Sequence, residues 1–167
     1  MVTMMNTGNL IIIGGAEDKT GECSILKEFV ALSGAGAARI TVITTATEKP
    51  GEAGNQYKAV FSGLGAAETN ILDINTRDDA DMPNNVKLIS ESTGIFFTGG
   101  DQLRITSILG GTMVYNALHD AYKRGVAIAG TSAGASAMSR TMIVEGNDND
   151  PARKCTLKMA PGLGLLD

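Results

Sequence analysis

The first apolar run, at positions 9–13, is continuous rather than alternating and stops at Gly14-Gly15, which is how a strand covered on both faces reads. Positions 22–33 change period: Ile25, Leu26, Phe29, Val30 and Leu32 recur at helical spacing before the glycines of Gly34-Ala35-Gly36. The same succession then repeats. β-Branched residues at 39–44 predict a second strand, and 53–64, with Val60, Phe61 and Leu64 on one face, predicts a second helix. A strand at 69–74, a short helix at 86–92 and a strand at 94–98 follow, the last ending at Gly99-Gly100. Helices at 102–109 and 113–123, a strand at 126–129 and a helix of small residues at 133–138 complete the periodic part. Beyond Met138 the pattern weakens, and 145–150 reads as a polar loop.

Strands alternating with helices imply parallel pairing through right-handed crossovers. The expected fold is therefore α/β, a doubly wound, mostly parallel sheet with helices on both faces. No repeat or linker interrupts the pattern, and 167 residues suit a single domain. Ligands of such sheets bind at the carboxyl ends of the strands, which directs attention to 14–19, 45–49, 99–102 and 130–136.

Composition narrows the classes. The net charge is −4 and no stretch concentrates Lys and Arg, which argues against nucleic acid as a partner. No apolar run reaches the roughly 20 residues that span a bilayer, and no basic segment precedes a cleavable apolar one, so a soluble, cytoplasmic protein without membrane attachment is expected. Cys23 and Cys155 are too few for a disulfide framework and lack metal-ligand spacing, so both are read as reduced thiols and no metal site is expected.

Chemistry enters at Gly130-Thr131-Ser132-Ala133-Gly134, a G-x-S-x-G between a strand and a helix. A sharp turn there lifts the Ser132 hydroxyl from the sheet end, and only small neighbours leave room for it. The Ala133 N–H at the helix start is one oxyanion donor, and the backbone of Gly99 or Gly100 is the expected source of a second. A tight turn using glycines for packing fits the same pattern. After the first strand, Gly14-Gly15-Ala16-Glu17-Asp18 departs from G-x-G-x-x-G and sets carboxylates where a pyrophosphate would sit. Such acids suit a cationic ligand or a hydrogen-bonding role, with a solvated loop as the alternative; Asp18 is a candidate substrate-binding residue.

Four segments, Gly14-Gly15-Ala16-Glu17-Asp18-Lys19, Phe97-Thr98-Gly99-Gly100-Asp101-Gln102-Leu103-Arg104, Gly130-Thr131-Ser132-Ala133-Gly134-Ala135 and Ala160-Pro161-Gly162-Leu163-Gly164, occur in the order seen in a known family. Together they resemble the cyanophycinases of the S51 family of serine peptidases, a family that also contains aspartyl dipeptidases. The resemblance implies a class I glutamine amidotransferase-like fold and hydrolysis of cyanophycin, polyaspartate bearing arginine on its side chains, to β-Asp-Arg dipeptides. It also implies a homodimer and no cofactor. Ser132 would be the nucleophile, and Gln102 and Asp101 substrate-binding positions.

A serine nucleophile needs a base, and in the resembling family that histidine lies in an Asp-Gln-His segment beyond the Gly-Leu-Gly stretch. The sequence stops at Asp167, so the 1–167 unit is expected to be incomplete at its carboxyl end, the base coming from a companion carboxyl-terminal segment. His119, the only histidine, falls in the helix at 113–123, and helix and strand rises put it about 10 Å below Ser132, too far to serve. Spacing in the resembling family assigns the triad acid to Asp150, with Asp148 and Glu145 as fallbacks and a solvated acidic loop as the alternative. Arg153 and Lys154 are weaker candidates for holding a substrate carboxylate. Two other functions stay open: a dipeptidase acting on small Asp-containing peptides, and an inactive binding or dimerisation module.

Overall fold

Five short strands, β1 (Leu10–Ile13), β2 (Arg39–Ile43), β3 (Glu68–Leu72), β4 (Gly94–Phe97) and β5 (Ala127–Thr131), share one sheet in the computed structural model, which describes residues 7–146 and 157–166. Their order is β1-β5-β4-β2-β3, and every pairing is parallel. Parallel neighbours cannot be joined by tight hairpins, and helices provide the crossovers. The crossovers are α1 (Ser24–Leu32), α2 (Pro50–Gly63), α3 (Arg77–Ala80), α4 (Pro83–Glu91), α5 (Gln102–Leu109) and α6 (Met113–Lys123), and α7 (Ala133–Met138) follows the last strand.

The central strands are buried on both faces, so alternate side chains feed two cores. From β4, Ile95 and Phe97 enter a cluster with Ile89 of α4, Ile105 of α5, Leu118 of α6 and Met138 of α7. Phe96 points the other way, into Phe29 of α1 and Tyr57 and Phe61 of α2. Ring centroids there lie 4.6 Å apart for Tyr57–Phe96, 5.3 Å for Phe61–Phe96 and 5.6 Å for Phe29–Phe96, in tilted or edge-on arrangements that suit aromatic quadrupoles. The amphipathic spacing of α1 and α6 is used as expected: Leu26, Phe29 and Val30, and Val114, Ala117, Leu118 and Ala121, are their buried residues.

The doubly wound fold expected from the sequence is present, with instructive differences. α2 starts at Pro50, three residues earlier than periodicity predicts, because proline at the first helical position loses no hydrogen bond. α3 is a single turn, nucleated by a reciprocal cap between Thr76 and Asp79. β5 runs on to Thr131, which pairs with Ile13 of β1, so the strand reaches the start of the elbow. Past α7, where no element is predicted, β6 (Thr141–Gly146) and β7 (Leu157–Pro161) form an antiparallel pair. Among the described residues no helix is long and apolar enough to cross a membrane.

The loop from β1 to α1 is organised by Asp18. Its Oδ1 accepts the backbone N–H groups of Thr20 and Gly21 at 3.0 and 2.7 Å, and its Oδ2 that of Cys23 at 3.0 Å. Donation from Cys23, Gly21 and Thr20 holds the carboxyl at about 2, well below its ordinary range.

Two outcomes follow. Phe96→Ala should lower unfolding free energy by about 3–5 kcal/mol in urea titrations, whereas Met113→Ala, at an exposed helix start, should change it by less than about 1 kcal/mol. Because Asp18 titrates lower when folded, its contribution is complete above the unfolded carboxylate range and is lost as pH falls through about 2. Carboxyl-carbon NMR of Asp18 should show that midpoint, with the Gly21 and Cys23 amides following it; a midpoint at the ordinary 3.8 would mean that those hydrogen bonds are absent.

Candidate active site

At the end of β5 the chain turns directly into α7, and the residue at the turn is Ser132, with φ 51° and ψ −114°. A non-glycine residue with positive φ is strained, and this one is held from both sides. Its N–H donates to the Ile13 carbonyl at 2.9 Å, and its carbonyl accepts the Ser136 N–H at 3.0 Å, closing the first turn of α7. The side chain is exposed, whereas Thr131 and Ala133 on either side are buried. The turn is possible because the flanking backbones nearly touch. A Cβ on Gly130 would lie 2.6 Å from the Gly134 carbonyl carbon, and one on Gly134 would lie 2.6 Å from the Phe97 carbonyl oxygen.

Two further strand ends converge on the serine. A Cβ built on Gly15, after β1, or on Gly99, after β4, would stand 3.4 Å from the Ser132 Cβ. Gly100 adopts φ 144° and packs so tightly on the Ala46 turn that its own Cβ would be 2.1 Å from the Ala46 carbonyl oxygen. The Asp101 N–H then donates to that same carbonyl at 2.9 Å, fixing the loop after β4. A glycine therefore borders Ser132 from each neighbouring strand end, and the one after β4, Gly99, lies where the sequence pattern anticipates a backbone donor for an oxyanion.

Ser132 opens into a cleft of about 470 Å³ whose walls include Gly14, Gln102, Ala133, Ser136 and Leu166. Gln102 is brought there by the start of α5, and its Nε2 donates to the Ile143 carbonyl of β6 at 3.1 Å. Asp101, by contrast, caps α5, its Oδ1 accepting the Leu103 and Arg104 N–H groups at 2.8 and 3.4 Å. Asp18 is likewise occupied with its own loop.

His119 does not meet Ser132. Its Nε2 lies 2.8 Å from the Leu163 carbonyl oxygen and its ring packs at a tilt against Tyr115 with centroids 4.5 Å apart, a half-buried structural histidine of α6. Glu145, on β6, pairs with Lys158 of β7 at 2.5 Å. Asp150, Asp148, Arg153 and Lys154 lie outside the described residues, as does Cys155; Cys23 is a buried free thiol.

Glu17 is one of the two acids that pattern reading gave a cationic-ligand or hydrogen-bonding role without naming its partners. Its side chain is only 2% exposed and sits beneath the elbow. Oε1 accepts from the Tyr57 hydroxyl of α2 and pairs with Lys19 Nζ at 2.7 Å, while Oε2 accepts from Thr131 Oγ1 at 2.5 Å. Burial opposes its charge, but Lys19, Thr131 and Tyr57 outweigh that and hold the carboxyl below its ordinary value. The same burial, with the carboxylate alongside, pushes the Tyr57 phenol up. The signal was present in the sequence as a carboxylate and a lysine two residues apart at a strand end; what was missing was the distant pair, Tyr57 and Thr131.

Comparisons with known proteins place the chain in a family. Over 158 residues the chain is 37% identical to cyanophycinase from Nostoc sp. (strain PCC 7120), covering 94% of this chain and 53% of that protein. With cyanophycinase from Synechococcus elongatus the identity is 36% over 160 residues, covering 95% and 50%. The chain thus spans about half the length of the curated relatives it matches. Among solved structures, a peptidase from an acI-B1 Actinobacterium superposes with a TM-score of 0.73 at 24% identity, over 95% of this chain and 65% of that one, which establishes a shared fold. The profile of Peptidase family S51 matches residues 10–167, and the chain belongs to that family.

Proposed function

We propose that this chain is the nucleophile-bearing part of a serine-type cyanophycinase, which cleaves cyanophycin to β-Asp-Arg dipeptides through an acyl-enzyme. The observation that carries the reading is Ser132 itself, exposed on a strand-to-helix turn at φ 51° with glycine backbone on two sides. Identity of 37% and 36% to cyanophycinases, over nearly all of this chain and about half of each of them, supports the choice of polymer.

In this mechanism the Ser132 hydroxyl attacks the scissile carbonyl while a base removes its proton. Backbone N–H groups of Ala133 and of Gly99 or Gly100 receive the developing oxyanion. The base returns the proton to the departing amine, and water then releases the acyl group. Gln102, whose Nε2 is tied to Ile143, retains its carbonyl oxygen for substrate. Asp101 and Asp18 support binding by shaping the loops that border the cleft, and Asp150 is the proposed triad acid. The base is a histidine of the Asp-Gln-His segment characteristic of the family, since His119 is engaged elsewhere. It belongs to a companion carboxyl-terminal segment, and the 1–167 unit is one α/β domain of the working enzyme. The enzyme is read as a cytoplasmic homodimer.

Ser132→Ala in the full protein should lower kcat for β-Asp-Arg release by at least about a thousandfold, with folding unchanged by circular dichroism. Release that survives the substitution would overturn the assignment, and turnover of Asp-x dipeptides with polymer untouched would favour a dipeptidase. Gln102→Ala should act mainly on KM, raising it by about fivefold or more; an unchanged KM would remove Gln102 from the binding site.

A further inference from the structure

The loop after β1 is fastened to the elbow twice. One fastening is backbone, the Ser132 N–H to the Ile13 carbonyl at 2.9 Å. The other is a buried side-chain bridge, Thr131 Oγ1 to Glu17 Oε2 at 2.5 Å, made by the residue immediately before the nucleophile. Between them the loop turns sharply, with Gly15 at φ 110° and Ala16 at φ 52°, and this brings Glu17 back under β5. A third element joins through the Tyr57 hydroxyl of α2, and Lys19 Nζ, 5.1 Å above the Tyr57 ring centroid, supplies the opposite charge.

Packing alone does not call for this arrangement, because a buried ionised group is costly and an apolar cluster of similar volume fills such a space at no electrostatic cost. A carboxylate differs from an apolar filler in fixing direction: each oxygen holds a particular donor, and here the donors come from β5, α2 and the loop itself. The donor on β5 adjoins the strained residue, whose angles persist only while its surroundings over-determine them.

We propose that Glu17 is a positioning residue of the active site, its carboxylate clamping Thr131 to the β1 loop so that Ser132 keeps the backbone geometry that presents its hydroxyl to the cleft. This rests on the peptidase reading of Ser132. Glu17 touches no reacting atom in this scheme and acts only through Thr131 and the loop.

The test uses Glu17→Gln, Thr131→Val and Thr131→Ser, with the double variant of the first two, in the full protein. Amide exchange measured by NMR should accelerate about tenfold or more at Ser132 and Ser136 in Glu17→Gln and Thr131→Val, with the Ile95 and Phe96 amides at parent rates. In polymer hydrolysis both should lose kcat by about tenfold or more with KM within about twofold, and the double variant should lose no more than either alone. Thr131→Ser, which keeps the hydroxyl, should restore both readouts. Acceleration spread equally over β4 would make Glu17 a stability residue and overturn the proposal, as would elbow amides and kcat at parent values. Should Glu17→Gln fail to fold, the near-isosteric Thr131→Val decides. A parent that releases no β-Asp-Arg would sink the peptidase reading by itself, while the exchange pattern still decides whether Glu17 sets the elbow.

Discussion

The close approach of backbone to backbone at the end of β5 is the constraint on which the site depends. Gly134 sits where any side chain would enter the Phe97 carbonyl of the neighbouring strand, and Gly130 where one would enter Gly134 itself. This contact forces the chain from strand to helix within one residue, and that residue must take an unfavourable conformation. A strained backbone of this kind costs on the order of 1–3 kcal/mol and survives only where the surroundings outweigh it. The parallel sheet provides the excess: β5 is paired on both sides, and all five of its residues are buried. Ser132 is exposed because its neighbours in sequence are not.

Electrostatics at the adjoining strand end follow from two carboxylates side by side with opposite orientations. Asp18 faces outward and spends its oxygens on three amides of its own loop; Glu17 faces inward and spends its oxygens on side chains of β5 and α2 as well as on Lys19 of the loop. Both are held below their ordinary values, so both remain charged at neutral pH. The loop that in dinucleotide-binding sheets cradles phosphate is here an anionic brace, which disfavours phosphate and holds the turn at Ser132 instead.

Period and punctuation made most of the fold legible. Strands such as 94–97 are unbroken apolar runs, helices such as 113–123 repeat every three or four residues, and glycines end both. The strand-to-helix turn at Ser132 was legible for the same reason, since a G-x-S-x-G means little until a buried strand precedes it. The β6–β7 pair was not legible because its residues are largely exposed: no apolar alternation marks a ribbon that packs on one side only. The Gln102 contact with Ile143 was lost with it. Glu17 escaped for a different reason. Its role depends on Tyr57 and Thr131, forty and more positions away, and a pairing set by tertiary structure leaves no local period.

The division of labour between this sheet and the rest of a peptidase follows from what each step requires. In the proposed mechanism, placing a hydroxyl and two backbone donors demands tolerances of a fraction of an ångström, a task suited to a rigid parallel sheet with glycine contacts. Taking up a proton demands only a group of suitable basicity within hydrogen-bond reach, and it can be delivered by an element that folds against the finished elbow. His119 illustrates the distinction, because an imidazole committed to the Leu163 carbonyl and the Tyr115 ring is part of the scaffold and not free to serve. The described residues carry the demanding half of the geometry, and in the proposed mechanism the base is added to a nucleophile that the sheet has already positioned.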